Sequence, residues 1–363
     1  MRIALGLLTV LAACATAGPE PSRAPQSGPA ESPVGDFPGS RRLDVYWVDV
    51  EGGAATLLVT PAGESVLIDS GYPGGRDAAR VAAAARQAGL SKIDHLVVTH
   101  FHIDHFGAVS EIARLIPIGT LYDHDIATAP EEERKQDLLK DYQAIKVDKR
   151  VVVQPGDTLP LKQVPGTPPL SLRFLGAVEK FTTPSGAKSN DAICKEAKPH
   201  ALDESDNKNS IVMLLGLGSF RFFDGGDLTW NTEATLVCPQ DRVGAVDVMQ
   251  ADHHGLDLSN NPVLVKTLQP TVAVVNNGPR KGGEPGTFAT LKATPSIQTI
   301  YQLHRNVRVG PEQNAAPELV ANADESCKGN LVKMSVAGDG KSYSLTIPAT
   351  NFAKTYETRS KDL

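Results

Sequence analysis

The sequence predicts an α/β (α+β) fold in which two β-sheets lie between outer layers of helices. Short runs rich in Val, Ile, Leu and aromatic residues occur in both halves of the 363-residue chain, and stretches with helical character separate them. A content of 41% hydrophobic residues is normal for a globular core. Because a sheet buries its apolar face against another layer, this order of elements favours two sheets covered by helices.

The first half of the chain alternates strands and helices. Gly52-Gly53 and Pro61-Ala62-Gly63 separate its first apolar runs, as turns do in a meander of strands. The predicted strands are 43–50, 55–60, 65–69, 95–98 and 118–122, and the predicted helices are 77–88, 107–115 and 131–145.

The second half consists mainly of strands around one long polar segment. Residues 180–209 are polar and punctuated by Gly and Pro, which predicts a surface loop of the kind that often walls an active site. The predicted strands are 151–153, 157–161, 170–174, 211–215, 220–223, 246–250, 272–275, 331–335 and 342–347.

The amino terminus has the pattern of an export signal. Residues 1–13 combine Arg2 with an apolar run too short to span a bilayer, and they read as a signal peptide. Leu11-Ala12-Ala13 before Cys14 resembles the cleavage site of bacterial lipoproteins, which implies lipidation of Cys14. Ordinary secretion with cleavage after Ala17 is the alternative. Residues 14–40 are rich in proline, which predicts a tether between the membrane and the folded domain.

The net charge limits the kinds of partner expected, and the cysteine count limits the disulfides. The formal net charge of -6 disfavours a protein whose main task is to grip polyanions, and no dedicated nucleic-acid-binding patch is evident. Once Cys14 is lipidated, three cysteines remain, so an exported protein can form at most one intramolecular disulfide and keeps one thiol. We expect Cys194 to pair with Cys327, because both lie in polar surroundings, whereas Cys238 follows an apolar pair.

The segment Thr99-His100-Phe101-His102-Ile103-Asp104-His105 contains three imidazoles and a carboxylate directly after an apolar run. Side chains alternate in an extended stretch, so His100 and His102 point to the same side. A turn into the following helix brings Asp104 and His105 toward the same cavity. Neutral imidazole with carboxylate is a donor set that zinc prefers, so the segment predicts a metal site.

This H-x-H-x-D-H pattern resembles the signature of the metallo-β-lactamase superfamily. Further similar motifs follow in the family's order, and the opening at residues 44–53 is closest to the ComEC-like branch of bacterial competence proteins. The resemblance implies a four-layer αββα sandwich, with a catalytic domain over residues 41–350 and a C-terminal tail over 351–363. The supporting motifs are Leu67-Ile68-Asp69-Ser70-Gly71, Phe222-Phe223-Asp224-Gly225-Gly226-Asp227 and Asp252-His253-His254-Gly255.

The resemblance also implies a site for two divalent metal ions, expected to be zinc, with manganese or iron as alternatives. The first ion takes two motif histidines and a third histidine, for which His124 is preferred over His200 and His304. Asp227 bridges the ions, and His253 completes the second. The implied ligands are His100, His102, Asp104, His105, His124, Asp227 and His253.

Three further roles belong to the same implied site. Asp69 resembles a buried aspartate that orients ligands without binding metal. Asp104 is expected to hold the attacking water, while His254 either supports the site or donates a proton to the leaving group. Asp104 and His254 are therefore the catalytic candidates.

The segment from Asn276 to Gly283 is a candidate substrate loop with Asn277, Arg280 and Lys281. Its two cations would suit an anionic group, although a solvated basic turn would look the same in sequence.

The sequence thus predicts an exported hydrolase that uses a metal-activated water, with a phosphodiester substrate preferred. β-Lactamase or lactonase activity is the alternative, and so is a metal-binding lipoprotein without turnover. The expected partners are a small-molecule or phosphodiester substrate and a membrane reached through lipidated Cys14. We expect the cell envelope, with the outer membrane favoured, or a soluble secreted form; no protein partner is evident.

Overall fold

The computed structural model describes residues 41–326 and 328–359 of the chain. The predicted signal peptide, the tether and Cys14 lie outside these residues. Within them the strands are β1 Leu43–Trp47, β2 Thr56–Val59, β3 Ser65–Ile68, β4 Ile93–Val97, β5 Ile118–Asp123, β6 Lys149–Val152, β7 Thr158–Leu159, β8 Leu170–Ala177, β9 Lys180–Phe181, β10 Val212–Leu217, β11 Phe220–Asp224, β12 Val248–Gln250, β13 Val272–Val275, β14 Thr299–His304, β15 Val320–Asn322, β16 Val332–Val336, β17 Ser342–Ile347 and β18 Phe352–Glu357.

Helices and short helical turns connect these strands. The α-helices are α1 Arg76–Gln87, α2 Ile103–Phe106, α3 Val109–Leu115, α4 Glu131–Arg134, α5 Leu138–Ala144, α6 Asp191–Cys194, α7 Trp230–Val237, α8 Pro262–Leu268 and α9 Pro285–Ala293. The 3-10 turns are Ile126–Thr128, Asp206–Asn209, Asp252–Gly255, Pro311–Gln313, Pro317–Leu319 and Pro348–Thr350. None of the described helices is long and apolar enough to cross a membrane.

The strands form two large mixed sheets. The first has the order β18-β17-β16-β1-β2-β3-β4-β5-β6, and the second has the order β15-β14-β13-β12-β11-β10-β8-β7, with β9 paired to β8. The central strands β3, β4 and β5 run parallel in the first sheet. Strands β11 to β15 run parallel in the second.

The core lies between the sheets and continues on their outer faces. Along β1, Val45 and Trp47 point into a cluster shared with the second sheet, and Tyr46 points into a cluster shared with α1 and α3. Trp47 meets Phe222 of β11 edge to face, with ring centroids 5.6 Å apart. A third cluster joins the outer face of the second sheet to α7, α8 and α9. These four layers confirm the predicted αββα sandwich.

The amphipathic pattern of α1 explains how a helix covers the first sheet. Ala78, Val81, Ala82 and Ala85 lie on one helical face and are fully buried. Small side chains at these positions allow the helix to lie close to the sheet.

Three expectations differ from the structure. The predicted tail includes β18, which pairs with β17 through six residues, so the folded domain continues past residue 350. The predicted helix at 131–145 is divided into α4 and α5. The disulfide joins Cys194 to Cys238, because α6 brings Cys194 to the end of α7; the expected pairing with Cys327 is therefore wrong.

The site forms where parallel strands of both sheets end. Asp69 follows β3, His100 follows β4, Asp227 follows β11, and His254 follows β12. The carboxyl ends of parallel strands are a common place for ligand sites, since the connecting loops meet there. Here the two sheets bring four such loops to one end of the sandwich.

Candidate metal centre

The local backbone of the histidine-rich motif changes from extended to helical. His102 has φ -74° and ψ 145°, and α2 begins at the next residue. Thr99 anchors the start of the motif, because its N–H and hydroxyl donate to the two carboxylate oxygens of Asp69 at 2.8 and 2.7 Å. His100 and His102 therefore leave an extended stretch, while Asp104 and His105 leave the first helical turn.

The potential metal ligands converge in two groups that share Asp227. His105 Nε2 and His254 Nε2 lie 3.1 and 3.3 Å from Asp227 Oδ2. His100 Nε2 lies 3.9 Å from the same oxygen. The first group is His100, His102 and Asp227, and the second is Asp104, His105, Asp227 and His254.

The chemistry of these groups fits divalent cations. His100 Nε2 is buried and has no hydrogen-bond partner among the described residues, so its hydrogen-bonding capacity is not used within them. His105 Nε2 and His254 Nε2 lie 3.2 Å apart, with Asp104 Oδ2 3.1 Å from the His254 nitrogen. Imidazole and carboxylate donors held this closely in a buried position suit zinc, manganese or iron.

Asp69 orients the imidazole of His105 through a hydrogen bond. Its Oδ2 lies 2.7 Å from His105 Nδ1 and accepts the proton of that nitrogen. His105 Nε2 then faces the two other carboxylates, 3.6 Å from Asp104 Oδ2 and 3.1 Å from Asp227 Oδ2. A carboxylate that orients a ligating histidine in this way also raises its basicity.

The charges of the site stabilise one another. Burial opposes ionisation of Asp227, but the imidazoles of His105, His254 and His253 outweigh it and hold the pKa of Asp227 well below its usual range. Burial, together with His105 and His102, holds the pKa of His100 well below its usual value. His100 is therefore neutral, which is the form that binds metal.

The roles expected for His253 and His254 must be corrected. His254, not His253, belongs to the second group of ligands. His253 Nε2 is 3.6 Å from Asp227 Oδ2, and its Nδ1 contacts Ser259 Oγ at 3.3 Å. Both histidines have left-handed backbones, with φ 54° and 55°, and Gly255 follows at φ 76°. This tight turn directs neighbouring imidazoles to different positions around Asp227.

His124 does not reach the metal ligands, so its assignment to the first ion is wrong. Its Nε2 lies 3.1 Å from Asp206 Oδ2, and its Nδ1 lies 2.7 Å from Thr128 Oγ1. Asp206 also accepts a hydrogen bond from Phe101 N–H at 2.7 Å, between the first two motif histidines. His124 thus supports the backbone of the motif through Asp206.

The two other candidates for a third histidine also contact other residues. His200 stacks on Trp230 with ring centroids 3.9 Å apart. His304 Nε2 lies 2.7 Å from Asp49 Oδ1, in a buried pair. Among the described residues, the first group therefore has three protein ligands where the second has four.

Of the expected substrate loop, only Lys281 reaches the site. Its Nζ contacts Asp104 Oδ2 and lies 5.8 Å from the ring centre of Tyr72. Burial would lower the pKa of Lys281, but the carboxylates of Asp104 and Asp227 outweigh it and raise the pKa. Lys281 therefore carries a positive charge beside the second group.

The other two loop residues have different roles. Arg280 is exposed and forms an ion pair with Glu325. Asn277 is buried, and its Nδ2 donates to Gly278 O and His304 O at 2.8 Å each, so it shapes the loop. Their expected part in substrate binding stays a prediction.

Sequence reasoning missed Glu133. This residue of α4 is 5% exposed, and its Oε1 lies 3.2 Å from His102 Nε2. Its position in the charged run Glu131-Glu132-Glu133 resembles a solvated helix face, so the sequence offered no signal that one of the three is buried.

Comparisons with known proteins find relatives of part of the chain. The model of the metallo-β-lactamase superfamily matches residues 48–181, which include the histidine-rich motif. A metal-dependent hydrolase of Cupriavidus taiwanensis is 34% identical over 110 residues, covering 30% of this chain and 34% of that protein. The chain spans about a third or less of the length of the curated relatives it matches.

Solved structures with a similar arrangement are distant in sequence. A putative metal-dependent hydrolase from Parabacteroides distasonis has a TM-score of 0.38 at 13% identity, over 71% of this chain and 92% of that one. A diphosphatase from the PhnP family has a TM-score of 0.38 at 13% identity, over 81% of this chain and 98% of that one.

The family match covers strands β2 to β6 of the first sheet and the motif that carries four of the candidate ligands. The remaining ligands, Asp227 and His254, come from the second sheet of the same sandwich. The match therefore shows that residues 48–181 are similar to the metallo-β-lactamase superfamily.

Proposed function

We propose that the chain is an exported metal-dependent hydrolase whose preferred substrate is a phosphodiester. The observation that carries the hydrolase is the convergence of two ligand groups on Asp227 in a buried position. Divalent cations held there would supply an activated water at neutral pH and polarise the bond under attack. The superfamily match and the similar metal-dependent hydrolase support the same reaction class.

Asp104 is the residue best placed to handle the attacking water. It is buried, and its Oδ2 faces His254 Nε2 at 3.1 Å and contacts the ammonium of Lys281. Burial opposes its ionisation, yet His105, His254 and Lys281 hold the pKa of Asp104 well below its usual range. The residue is therefore a carboxylate that accepts hydrogen bonds, the form needed to orient a water or take its proton.

Lys281 supports the choice of an anionic substrate. Its ammonium is beside the second ligand group, and its side chain is 34% exposed, so a ligand can approach it. A fixed positive charge at this position would attract the non-bridging oxygens of a phosphodiester. The likeness of the motifs to the ComEC-like branch favours the same substrate class.

A substrate panel separates this proposal from its rivals. Purified protein should hydrolyse bis-p-nitrophenyl phosphate faster than nitrocefin or an acyl-homoserine lactone, and a chelator should remove the activity. Preference for nitrocefin or the lactone would favour the β-lactamase or lactonase alternative. Absence of turnover on all three, with full metal loading, would favour a metal-binding lipoprotein without turnover.

The role of Lys281 makes a specific prediction. Lys281→Met should raise KM for bis-p-nitrophenyl phosphate by about tenfold, since a charge-assisted contact contributes about 1.5–3 kcal/mol. Arg280→Met is the matched control, because it removes a cation from the same loop whose partner is Glu325. Steady-state kinetics at equal metal content is the measurement. Equal KM values for wild type and Lys281→Met would show that Lys281 does not bind the substrate.

Export is supported by two independent features. The Leu11-Ala12-Ala13-Cys14 segment resembles a lipoprotein signal, and the Cys194–Cys238 disulfide is of a kind that persists in oxidising compartments. We propose a cell-envelope location with a lipid on Cys14, favouring the outer membrane, and a secreted soluble form as the alternative. Labelling with radioactive palmitate should depend on Cys14, and equal labelling of a Cys14→Ala variant would overturn the lipid anchor.

A further inference from the structure

We propose that Glu133 is a positioning residue for the first ligand group and acts on the bound cation through His102. The inference rests on the metal-binding part of the proposed function. Glu133 belongs to α4, 31 residues after His102, and its carboxylate contacts the imidazole.

The contact selects one form of His102. Glu133 Oε1 lies 3.2 Å from His102 Nε2, and hydrogen bonding there places the imidazole proton on Nε2. The lone pair of Nδ1 is then available to a cation, together with His100 and Asp227. This is the arrangement that Asp69 makes with His105 in the second group, with the two nitrogens exchanged.

Glu133 acts through the imidazole and is not itself a ligand. Among the described residues, the atoms that converge in the first group belong to His100, His102 and Asp227. Glu133 is 5% exposed, and its second oxygen is buried without a hydrogen-bond partner. A buried carboxylate requires a compensating interaction, and the imidazole of His102 provides it.

The same carboxylate also joins His102 to the backbone of the motif. Glu133 Oε1 accepts a hydrogen bond from Asp206 N–H at 3.3 Å, and Asp206 Oδ2 accepts from Phe101 N–H at 2.7 Å. Gln136 Nε2 donates to Phe101 O at 3.0 Å. The residue between His100 and His102 is thus held at both its N–H and its carbonyl.

The first group needs such support more than the second. It has three protein ligands, and its single carboxylate is shared with the second group. With fewer ligands, affinity depends more on how well each one is oriented before the cation arrives. Loss of Glu133 should therefore weaken one class of metal site and leave the other unchanged.

The test is a zinc titration of the full-length metal-free protein, resolved into two classes of site. Glu133→Ala should raise Kd of the weaker class by about 10- to 100-fold, and Glu133→Gln, which keeps an acceptor oxygen, by less. The stronger class should keep its Kd. Glu132→Gln is the matched control, because Glu132 is an exposed glutamate on the same helix.

Cobalt absorption spectra at one and two equivalents provide a second readout. Only the spectrum of the second equivalent should change in the Glu133 variants. Any of three results would overturn the proposal. The first is that Glu133→Ala keeps both wild-type Kd values, the second is that it loses affinity equally in both classes, and the third is that the protein has a single class of site that the substitution leaves unaffected. Because the readout is binding, failure of the protein to hydrolyse any test substrate would damage the proposed function without affecting this result.

Discussion

Neighbouring histidines take different positions at this site because of a short stretch of left-handed backbone. His253, His254 and Gly255 all have positive φ values, between 54° and 76°. A left-handed conformation costs about 1–2 kcal/mol for each non-glycine residue, so the surrounding contacts must hold it in place. Gly283 N–H, which donates to His254 O at 2.9 Å, and Ser259, which contacts the His253 imidazole, are two such contacts.

This geometry predicts unequal effects of two similar substitutions. His254→Ala should raise Kd of the stronger zinc class at least tenfold, since His254 is one of its four ligands. His253→Ala should leave that class near the wild-type value, because His253 is outside the second group. Zinc titration of both variants is the measurement. The reverse order of effects would restore the sequence-based assignment of His253.

The residues that the structure brings together differ in how far sequence could identify them. His100, His102, Asp104 and His105 form a dense local motif, and the late Asp227 follows a recognisable strand end. The choice of His254 over His253 depends on the signs of φ, which a His-His pair does not reveal. Glu133 and Asp206 reach the motif across 31 and 105 residues, and nothing in their local sequence indicates those contacts.

At the level of elements, β5 explains the mistaken choice of His124. Strand β5 is parallel to β4, with Tyr122 opposite Val97, so His124 leaves the sheet close to the start of the motif. Proximity of strand ends is correctly predicted by parallel pairing. The His124 side chain instead contacts Asp206, which lies in the 3-10 turn before β10.

His124 should therefore contribute to stability and not to metal stoichiometry. His124→Ala should lower the free energy of unfolding by about 1–3 kcal/mol, because it leaves a buried carboxylate short of a partner. The variant should still bind as many equivalents of zinc as wild type when metal is saturating. Chemical denaturation and metal analysis measure the two effects, with His200→Ala as the control for an exposed histidine. Loss of one equivalent of zinc in His124→Ala would mean that His124 is a ligand after all.

At the level of the whole molecule, the layered fold could be predicted because the order of apolar residues along a strand indicates which of its faces are buried. In β1, Leu43, Val45 and Trp47 face the inter-sheet core, and Tyr46 between them faces the helix layer. Strand Phe352–Glu357 escaped prediction because four of its six residues are exposed at the sheet edge, namely Ala353, Lys354, Thr355 and Glu357. The Cys194–Cys238 pairing depends on where α6 meets the end of α7, which local composition does not encode.

Each of the two sheets supplies some of the residues of the site. The first sheet supplies the motif after β4 and the orienting Asp69 after β3, while the second supplies Asp227 and His254. Neither sheet alone holds a complete set of ligands. Binding of a cation should therefore tie the two sheets together.

The most direct test of the central claim is the rate of bis-p-nitrophenyl phosphate hydrolysis by zinc-loaded wild type and Asp104→Ala, with metal content measured for both. Asp104 is a ligand of the four-residue group and the residue assigned to the attacking water. We predict that wild type is active, that a chelator abolishes its activity, and that Asp104→Ala retains less than about a hundredth of the rate. Unchanged turnover by Asp104→Ala, or wild-type turnover that survives complete removal of metal, would contradict a metal-dependent hydrolase at this site.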